Sequence, residues 1–434
     1  MTDFSSKNSA ASAREDYATF ARRVYETGVL SDPWFDGNQR FGLSGVALDE
    51  QLARRLARAA ERVTYLHQEL VQILSDDSAL LEEFYRLTPY QGAMWEASGG
   101  MWHGQARADL FLCTDGRIVC CELNSDTPSG QPEAVLLNRL LRSAHEERYA
   151  GRGEIVDPNL LFEERYVRML RASHSKRTSA TLERVGIIYP TELTEDLAMI
   201  TLFRRWLERA GIEVVAGSPY NLRRKSNRIE VLGVEVDLIV RHYKTDWWGE
   251  RIPVWQNAPD YADAEPLHLP LGELLAAEMN DEVTVVNPFG SVVTQNKLSL
   301  AFFWEEQGRF SKQAQGWIRK YIPETRRTRS VSLEQLRAER ESWVLKSDYG
   351  CEGQETICGQ FVSEEIWEKT LREIVPEHFV AQRFFHVAAD EAGRLPNYGV
   401  YVMGGTAGGF FTRLAHQSTQ YTALTVPTYI LKEK

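Results

Sequence analysis

The chain has 434 residues, which is long enough to bury a large hydrophobic core divided between two or three lobes. Its hydrophobic content of 43% and charged content of 26% are typical of a globular protein. The formal net charge of -11 argues against a nucleic-acid-binding protein, which would show a basic stripe, although a local cluster of Lys and Arg could still bind a polyphosphate. No run of about 18 apolar residues occurs, so we expect no transmembrane helix and no membrane partner.

The N-terminal tail and the cysteines both favour a cytoplasmic protein. The first sixteen residues are rich in Ser and Ala and lack an apolar segment, which indicates a frayed tail rather than a signal peptide. The five cysteines are odd in number, and none follows a CxxC metal or redox spacing. We therefore predict reduced thiols and a cytoplasmic location.

The first part of the chain is predicted to be helical scaffold. Residues 17–30 and 49–75 have the hydrophobic spacing of helices. Residues 88–104 are rich in Trp and Gly and are predicted to form a loop that leads into a hairpin. No residue pattern in this part of the chain indicates a catalytic or ligand-binding site.

The central prediction is a β-hairpin over residues 107–124. Asp115-Gly116 is typical of a two-residue turn, and apolar-rich runs flank it on both sides. If these two residues form the turn, Thr114 pairs with Arg117, and counting along the ladder fixes every earlier pair. A three-residue turn would break this register.

In the predicted register, two carboxylates face each other across the ladder. Asp109 lies opposite Glu122, and Arg107 lies opposite Asn124. Residues two apart on a strand share a face, so all four side chains project from the same side of the hairpin. The other side is predicted to be the core face, formed by Ala108, Leu110, Cys121 and Leu123.

Opposed carboxylates destabilise a hairpin unless something positive lies between them. Asp, Glu and the carbonyl oxygen of Asn are hard oxygen ligands of the kind that Mg2+ binds. The pattern therefore predicts a metal site at Asp109, Glu122 and Asn124. The alternative is that Arg107 alone neutralises the carboxylates in a solvated surface network.

A turn at residues 126–130 and a helix at residues 132–149 follow the hairpin. Pro132 lies near the start of this helix, where its missing N–H costs nothing. Thr127 and Ser129 thus lie just beyond the carboxylate strand and close to a helix N-terminus, which offers free N–H groups to an anion. The alternative is that the two hydroxyls only cap the helix.

Residues 184–216 have a strand–helix–strand pattern, which is typical of a parallel sheet. Thr194-Glu-Asp begins the helix, where Glu195 and Asp196 suit capping and the helix dipole. A second hairpin-like unit follows at residues 228–241.

Two lysines in the C-terminal part indicate a phosphate site. Lys297 opens a helix, and Lys346 ends a strand at residues 343–346, just before a loop that contains Gly350 and Gly353. Glycines let a backbone approach phosphates closely, and lysines supply positive charge. Taken alone, a lysine at a strand end is an ordinary surface charge.

Strands at residues 379–384 and 398–403 are predicted to complete one sheet. Gln382 lies on the first of these strands, where its amide could meet an adenine edge. The second strand leads through a glycine-rich turn at residues 404–409 to Arg413. The P-loop, GxGxxG, GxSxG and HExxH signatures are missing from the sequence.

Together these motifs resemble glutathionylspermidine synthase and its synthetase-like relatives in the ATP-grasp superfamily. The order, with metal ligands before both lysines, is similar to that of the permuted branch. The resemblance covers roughly residues 90–434. In its first half, Arg107/Asp109 matches the family's RxD motif, Glu122/Asn124 matches ExN, and Asp126–Ser129 matches DTP-S. In its second half, the matches are Asn287-Pro288 and Asn296-Lys297 for NP…NK, Lys346 with Gly350–Gly353 for the strand lysine and GxEG loop, Gln382 for the hinge Gln, and Arg413 for the late arginine. The aromatic-acidic substrate segment of the family is echoed only loosely by residues 243–248, and the fused amidase domain of some members is absent.

The resemblance implies an α+β or α/β chain with the ATP-grasp fold, a βαβ substrate domain like the pre-ATP-grasp domain, and an N-terminal helical segment. The implied domains are residues 1–80 as tail and helical scaffold, 81–150 as the metal-binding hairpin part of the ATP-grasp module, 151–282 as the βαβ substrate domain, and 283–434 as the ATP-binding lobe.

The implied function is an ATP-dependent carboxylate–amine ligase that works through an acyl phosphate, with ATP and Mg2+ as cofactors and a small-molecule carboxylate and amine as substrates. The resemblance implies that Mg2+ is bound by Asp109, Glu122 and Asn124, and that ATP is bound by Lys297, Lys346, Gly350, Glu352, Gly353 and Gln382. Charge on the reacting groups would be stabilised by Arg107 and Arg413. The carboxylate would be oriented by Thr127 and Ser129, and a cationic amine would be attracted by Glu195 and Asp196.

Two other functions are compatible with the same motifs. A phosphotransferase could use the same ATP platform to form a stable phosphate ester. A non-catalytic nucleotide-binding protein is the second alternative, and the presence of all the metal, lysine and arginine positions together argues against it.

Overall fold

The computed structural model describes residues 17–249, 252–258, 267–350, 355–416 and 423–433. Helices in the described ranges are α1 (residues 17–26), α2 (Glu50–Asp76), α3 (Ser78–Tyr85), α4 (Pro89–Ser98), α5 (Gln131–Arg148), α6 (Phe162–Ser175), α7 (Leu197–Arg209), α8 (Thr245–Trp248), α9 (His268–Met279), α10 (Ser291–Thr294), α11 (Leu298–Glu305), α12 (Lys312–Tyr321), α13 (Leu333–Ala338) and α14 (Glu364–Glu373). Within those ranges, no helix has the length and apolar character needed to cross a membrane.

The strands are distributed along the whole chain, which confirms the mixed α and β composition predicted from the sequence. They are β1 (Trp34–Phe35), β2 (Asn38–Gln39), β3 (Val46–Asp49), β4 (Gln105–Leu112), β5 (Ile118–Asn124), β6 (Gly153–Val156), β7 (Arg184–Ile188), β8 (Glu213–Gly217), β9 (Leu222–Lys225), β10 (Arg228–Val231), β11 (Val234–Val236), β12 (Leu238–Arg241), β13 (Thr284–Val286), β14 (Thr325–Arg327), β15 (Trp343–Ser347), β16 (Thr356–Cys358), β17 (Phe379–Arg383), β18 (Leu395–Met403), β19 (Thr406–Ala415), β20 (Leu424–Val426) and β21 (Thr428–Glu433).

A five-stranded antiparallel sheet, which we call the central sheet, has the order β20-β19-β18-β4-β5. It joins the hairpin β4–β5 to strands that lie nearly 300 residues later in the sequence. The helix α2 covers one face of this sheet. Asp49 caps the helix, and Leu56, Val63 and Leu70 are fully buried in the same hydrophobic core as Ala108 of β4.

A second antiparallel sheet, the nucleotide sheet, has the order β14-β17-β15-β16. The prediction that the strands at residues 379–384 and 398–403 complete one sheet is therefore wrong. β17 belongs to the nucleotide sheet and β18 to the central sheet. Both strands are buried and apolar, so their sequences carry no information about which neighbour each one pairs with.

A parallel sheet of order β13-β12-β7-β8 carries the predicted strand–helix–strand unit, with α7 between β7 and β8. The second hairpin-like unit is formed by β10 and β11. These two strands pair with β9 in a small sheet, while β12 continues into the parallel sheet. Two further small sheets have the orders β3-β21-β6 and β1-β2.

Residues 88–104 were predicted to be a loop, but residues 89–98 form α4. Thr88 and Gln91 make a capping box at its start, and Pro89 occupies the first helical position, where it is tolerated. The Trp and Gly content that indicated a loop is compatible with a helix that begins at this capping box. Gly99, with a φ of +56°, ends the helix in the left-handed conformation.

The turn of the hairpin β4–β5 differs from the prediction. Cys113 rather than Thr114 faces Arg117, because the Cys113 N–H donates to the Arg117 carbonyl oxygen at 2.8 Å. The turn therefore has three residues, 114–116. It ends at Gly116, whose φ of +80° suits a residue without a Cβ.

The two cross-strand pairs predicted for the functional face are nevertheless present. Asp109 lies opposite Glu122, and Arg107 lies opposite Asn124. A β-bulge makes this possible, because the register shifts by one residue beyond Asp109 and Cys121 is the extra residue of β5. The longer turn and the bulge have opposite effects on the register, so the pairing is restored at the carboxylates.

The bulge also changes which cysteine reaches the core. Cys120 is fully buried beside Ala108, Leu110 and Leu123, whereas Cys121 is half-buried and faces the other side of the sheet. The prediction of Cys121 as a core-face residue is therefore wrong. Strict alternation cannot foresee this, since a bulge reverses the faces from that point onward.

Asn287 connects the end of β13 to the central sheet. Its Oδ1 atom accepts the N–H groups of Gly104 and Gln105 at 2.8 and 2.9 Å. Its Nδ2 atom donates to the carbonyl oxygens of Gln105, Ser125 and Asp126 at 2.8, 2.8 and 3.0 Å. One buried amide thus satisfies backbone groups at the start of β4 and just after β5.

We predict that Asn287→Ala lowers the free energy of unfolding by about 3 kcal/mol, because it leaves several buried backbone groups without partners. The exposed Asn280, whose amide donates only to the Ala276 carbonyl of its own helix, provides the control. Asn280→Ala should change the unfolding free energy by less than about 0.5 kcal/mol. Urea denaturation of the three proteins measures both values, and equal small losses would contradict the role given to Asn287.

Candidate functional site

A large cavity of about 1330 Å3 lies between the central sheet and the nucleotide sheet. It brings together most of the residues singled out from the sequence. Those that line it are Arg107, Glu122, Asn124, Thr127, Ser129, Asp196, Lys297, Lys346, Gly350, Gln382 and Arg413. Cys351, Glu352 and Gly353 lie outside the described residues, so the predicted roles of Glu352 and Gly353 stay predictions.

Asp109 lies beneath the cavity floor and is completely buried. The Arg107 guanidinium binds it in a bidentate manner, with Nε to Oδ1 at 2.7 Å and Nη2 to Oδ2 at 3.1 Å. Arg413, which lies on β19 of the central sheet, donates to the same Oδ2 at 3.0 Å. One carboxylate therefore orients two arginines whose outer edges line the cavity.

Electrostatic interactions among Asp109, Arg107 and Arg413 favour the charged forms of Asp109 and Arg107. Burial opposes ionisation of Asp109, but Arg107 and Arg413 outweigh burial and hold the pKa of its carboxyl below the usual value. Burial likewise opposes the charge on Arg107, yet Asp109 raises the pKa of the guanidinium above its ordinary value. The Arg107–Asp109 pair therefore stays ionised across the physiological pH range.

Gly399 makes room for the Arg107 side chain. It lies opposite Asp109 on β18. A Cβ at this position would lie 2.9 Å from the Arg107 Cδ atom and 2.9 Å from the Phe411 carbonyl oxygen. Only a glycine lets Arg107 cross β18 at this point.

Of the two carboxylates that face each other across the hairpin, Glu122 is the one that lines the cavity. Its side chain is 30% exposed, and Oε2 lies 3.9 Å from the Lys297 Nζ atom. Lys297 also donates to the Gly350 carbonyl oxygen, which attaches the start of α11 to the loop after β15. Lys297 is buried, with 6% exposure.

Lys346 is a buried lysine without a carboxylate partner in the described part of the chain. Its Nζ atom donates to the Gln382 Oε1 atom at 2.9 Å and to the Cys121 carbonyl oxygen at 3.3 Å. The Gln382 Nε2 atom donates in turn to the Thr325 hydroxyl at 3.1 Å. Both ends of the Gln382 amide are thus occupied, and the bulge residue Cys121 links the two sheets.

Glu122 and Asn124 line the cavity and can offer Mg2+ hard oxygen atoms. Both oxygens of Asp109 instead accept hydrogen bonds from Arg107 and Arg413, so its predicted metal role stays a prediction. The Asn124 side chain lines the cavity, and its Nδ2 atom has no hydrogen-bond partner among the described residues, so the protein does not fix this amide. Within the same part of the chain, no group of three or more His, Cys, Asp or Glu side chains could hold a metal. A cation at this place would therefore need further oxygens from a bound nucleotide.

Cys121 also lines the cavity. Burial raises the pKa of its thiol to about 12, so the thiol stays protonated at neutral pH. A protonated thiol is a poor nucleophile, which argues against covalent thiol chemistry here.

One end of the cavity is apolar and aromatic. Val344, Phe361, Phe384 and Val387 line it, and they lie beyond Lys346 on the nucleotide sheet and its connecting loops. Phe361 and Phe384 make an edge-to-face contact with ring centroids 5.8 Å apart. A flat heterocyclic base suits this end, next to the lysines.

The opposite end lies at the N-terminus of α5. Gly130 precedes the helix with a φ of +94°, and no side chain caps its first N–H groups. Thr127 and Ser129 line the cavity here, as predicted from the sequence. The Ser129 carbonyl oxygen accepts from Arg107 at 2.7 Å and from the Tyr401 hydroxyl at 2.6 Å, so the backbone of this turn is fixed.

Asp196 faces the same end of the cavity. It makes no helix cap, and its Oδ1 atom lies 3.1 Å from the His242 Nε2 atom. The capping role considered for Asp196 is therefore wrong. The side chain of Glu195 lies outside the described residues, so its predicted role stays a prediction.

Sequence reasoning missed the buried pair of Asp126 and Arg241. Arg241 Nη2 lies 2.5 Å from Asp126 Oδ1, and the Thr245 N–H donates to Oδ2 at 2.8 Å. Asp126 thus attaches the turn after β5 to the end of β12 in the parallel sheet. The DTP motif contained this residue, but nothing in the sequence indicated its partner.

The N-terminal segment also contributes residues that the sequence did not indicate. Arg40 of this segment lines the cavity and forms an ion pair at 2.8 Å with Glu133 of α5, which also lines it. Asp32 and Phe35 line the same end.

A protein-family model described as glutathionylspermidine synthase preATP-grasp matches residues 45–431. The chain belongs to this family. The resemblance read from the motifs is thereby confirmed, as is the predicted α+β ATP-grasp-like fold.

Among solved structures, the apo form of a glutathione synthetase-like effector from Globodera pallida is similar over 96% of this chain and 96% of that chain, with a TM-score of 0.63 and 11% sequence identity. At this identity the likeness shows a shared fold. A Methylobacillus flagellatus protein described as a gamma-glutamylcysteine synthetase is 15% identical over 82% of this chain and 84% of its own, with a TM-score of 0.45. No protein with a curated description matches the sequence significantly.

We predict that Asp109→Asn destabilises the protein mainly at neutral pH. The pKa of Asp109 is lowered in the folded state, so the stability it contributes is present above the unfolded pKa near 4 and is lost as the pH falls through the folded value. The variant leaves Arg107 buried without its counter-charge, at a cost of about 3–5 kcal/mol at pH 7.

Denaturation of wild type and variant at pH 7 and in acid measures this difference. The gap in unfolding free energy should be largest at pH 7 and should narrow as Asp109 of the wild type becomes protonated. Asp115→Asn, which affects an exposed pair with Arg117, should leave the unfolding free energy nearly unchanged. A gap that is constant with pH would contradict the assignment.

Proposed function

We propose that this protein is an ATP-dependent carboxylate–amine ligase that forms an amide bond through an acyl phosphate. Membership of the glutathionylspermidine synthase family supports an ATP-dependent ligase. The observation that carries the proposal is the local excess of positive charge around two lysines of the cavity. Two buried lysines face it, and within the described residues only Glu122 lies near either of them as a counter-charge.

Burying a lysine without a counter-charge is costly unless a ligand supplies the negative charge. A triphosphate would do so if it lay between Lys297 and Lys346, with the base in the apolar end near Phe361 and Phe384. Gln382, whose amide is hydrogen-bonded at both ends, would then hold Lys346 in place rather than contact the adenine edge. Mg2+ held by Glu122 and Asn124 would neutralise phosphate charge, while Asp109, beneath the cavity floor, would keep Arg107 and Arg413 in place.

The two arginines suit the phosphoryl transfer. The γ-phosphoryl group passes from ATP to an oxygen of the carboxylate, the bond to the bridging oxygen of ADP breaks, and negative charge is spread over the transferred oxygens. Arg413 and Arg107 are already oriented by Asp109, so they can offset this charge without reorganising. The amine then attacks the acyl carbon, loses a proton, and displaces inorganic phosphate.

The end of the cavity at α5 would hold the two substrates. The uncapped N–H groups of the helix and the hydroxyls of Thr127 and Ser129 can bind a carboxylate. Asp196 can attract a cationic amine. We further propose the division into residues 1–80, 81–150, 151–282 and 283–434, with the central sheet shared between the second and fourth segments.

Glu122→Ala should reduce ATP turnover by at least about a hundredfold, because it removes the cavity carboxylate next to the phosphate site. The variant should keep the thermal unfolding midpoint, since Glu122 is partly exposed and its ion pair with Lys297 is long. Glu154→Ala, on an exposed position of β6, is the matched control and should keep full activity. ADP release by a folded Glu122→Ala protein at the wild-type rate would refute the assignment.

Substrates can be found by measuring ADP release over a panel of amino acids, thiol peptides and polyamines. With the active carboxylate labelled with 18O, an acyl phosphate intermediate predicts one labelled oxygen in the released phosphate. Label in AMP would indicate an adenylate instead. A stable phosphate ester without free phosphate would favour the phosphotransferase alternative.

A further inference from the structure

A second concave surface, which we call the basic cleft, lies at the tip of the hairpin β4–β5, between α2 and α12. Its volume is about 500 Å3, and it shares no lining residue with the large cavity. Five cationic side chains line it: Arg55, Arg58, Arg62, Arg117 and Lys320. They come from three different elements of the fold and converge on one concave surface.

The cations of the basic cleft are not balanced by the protein. Asp115 is the one carboxylate among the described lining residues, and it pairs with Arg117 at 2.6 Å. Neither Arg58 nor Lys320 has a carboxylate partner within the described ranges. In a chain with a formal net charge of -11, positive charges gathered in one place repel one another, and a bound anion would remove that repulsion.

Two of the guanidinium groups are held in place by neutral contacts. Arg55 Nη2 donates to the Gly116 carbonyl oxygen at 2.6 Å. Arg62 Nη1 donates to the Tyr321 hydroxyl at 2.5 Å, and its guanidinium lies over the Trp317 ring at 5.4 Å. These contacts use only part of the donor capacity of each arginine, so further N–H groups remain for a ligand.

Residues 55, 58 and 62 follow one face of α2, since positions three and four apart are neighbours on a helix. Arg58 therefore lies between the two fixed arginines. Three forked donors in a row match the oxygens of phosphate groups, which bind guanidinium groups in a bidentate manner.

We propose that the basic cleft binds a small phosphate-bearing polyanion. The cations converge on a volume that suits a small molecule, whereas a nucleic-acid surface would present an extended stripe. The ligand would also contact Arg117 and the turn that Arg55 already holds. Binding would thus fasten to α2 the same hairpin that carries Asp109 and Glu122. The proposal does not depend on the proposed ligase activity.

The test is isothermal titration with inorganic tripolyphosphate, without added metal and at about 150 mM salt, where weak surface attraction is screened. Lys346→Ala is used as the background, because it removes a phosphate-binding charge from the large cavity. Saturable binding of one anion is expected in this background. Adding Arg58→Ala should weaken it about tenfold or more, and adding Lys320→Ala should also weaken it.

Arg54→Ala is the matched control. Arg54 is adjacent on α2 and does not line the basic cleft, and it pairs with Glu50 at 2.6 Å. Arg54→Ala removes the same charge from the same helix as Arg58→Ala. Because Arg54 lies outside the basic cleft, the variant should leave the affinity for tripolyphosphate unchanged. Arg58 makes no hydrogen bond in the described ranges, so its variant should melt at the same temperature. Absence of saturable binding, or equal losses with Arg54→Ala and Arg58→Ala, would overturn the proposal.

Discussion

The site depends on the pairing register of one hairpin. Asp109 and Glu122 face each other only because a three-residue turn and a bulge at Cys121 have opposite effects on the ladder. A shift of β5 by one residue would move Glu122 to the face covered by α2, where Ala108 and Leu110 now lie.

Asp109 itself does not reach the ligand space. It holds Arg107 and Arg413 in one fixed orientation, and Gly399 provides the space that this arrangement needs. Glu122 and Asn124 face the cavity from the neighbouring strand, opposite the two lysines of the nucleotide sheet and α11. The bulge has a second effect, because the Cys121 carbonyl oxygen accepts a hydrogen bond from Lys346 and so connects the two sheets.

Much of the site could be read from the sequence because its motifs are local. Residues spaced by two on a strand share a face whatever the turn, so the pairs Arg107/Asp109 and Glu122/Asn124 followed from alternation alone. Contacts between distant segments could not be read in this way. The partner of Asp126 is Arg241, 115 residues away, and Asn287 binds backbone on both sides of the hairpin. The assignment of β17 and β18 to different sheets could not be predicted for the same reason. The helix α4 was not predicted because the Trp and Gly content of its segment indicated a loop.

The most direct measurement is a crystal structure of the protein with Mn2+ and a non-hydrolysable ATP analogue, in which anomalous scattering locates the ion. We expect an anomalous peak at the oxygens of Glu122 and Asn124, the triphosphate between Lys297 and Lys346, and the base near Phe361. A nucleotide bound elsewhere, or an ion remote from Glu122, would contradict this expectation.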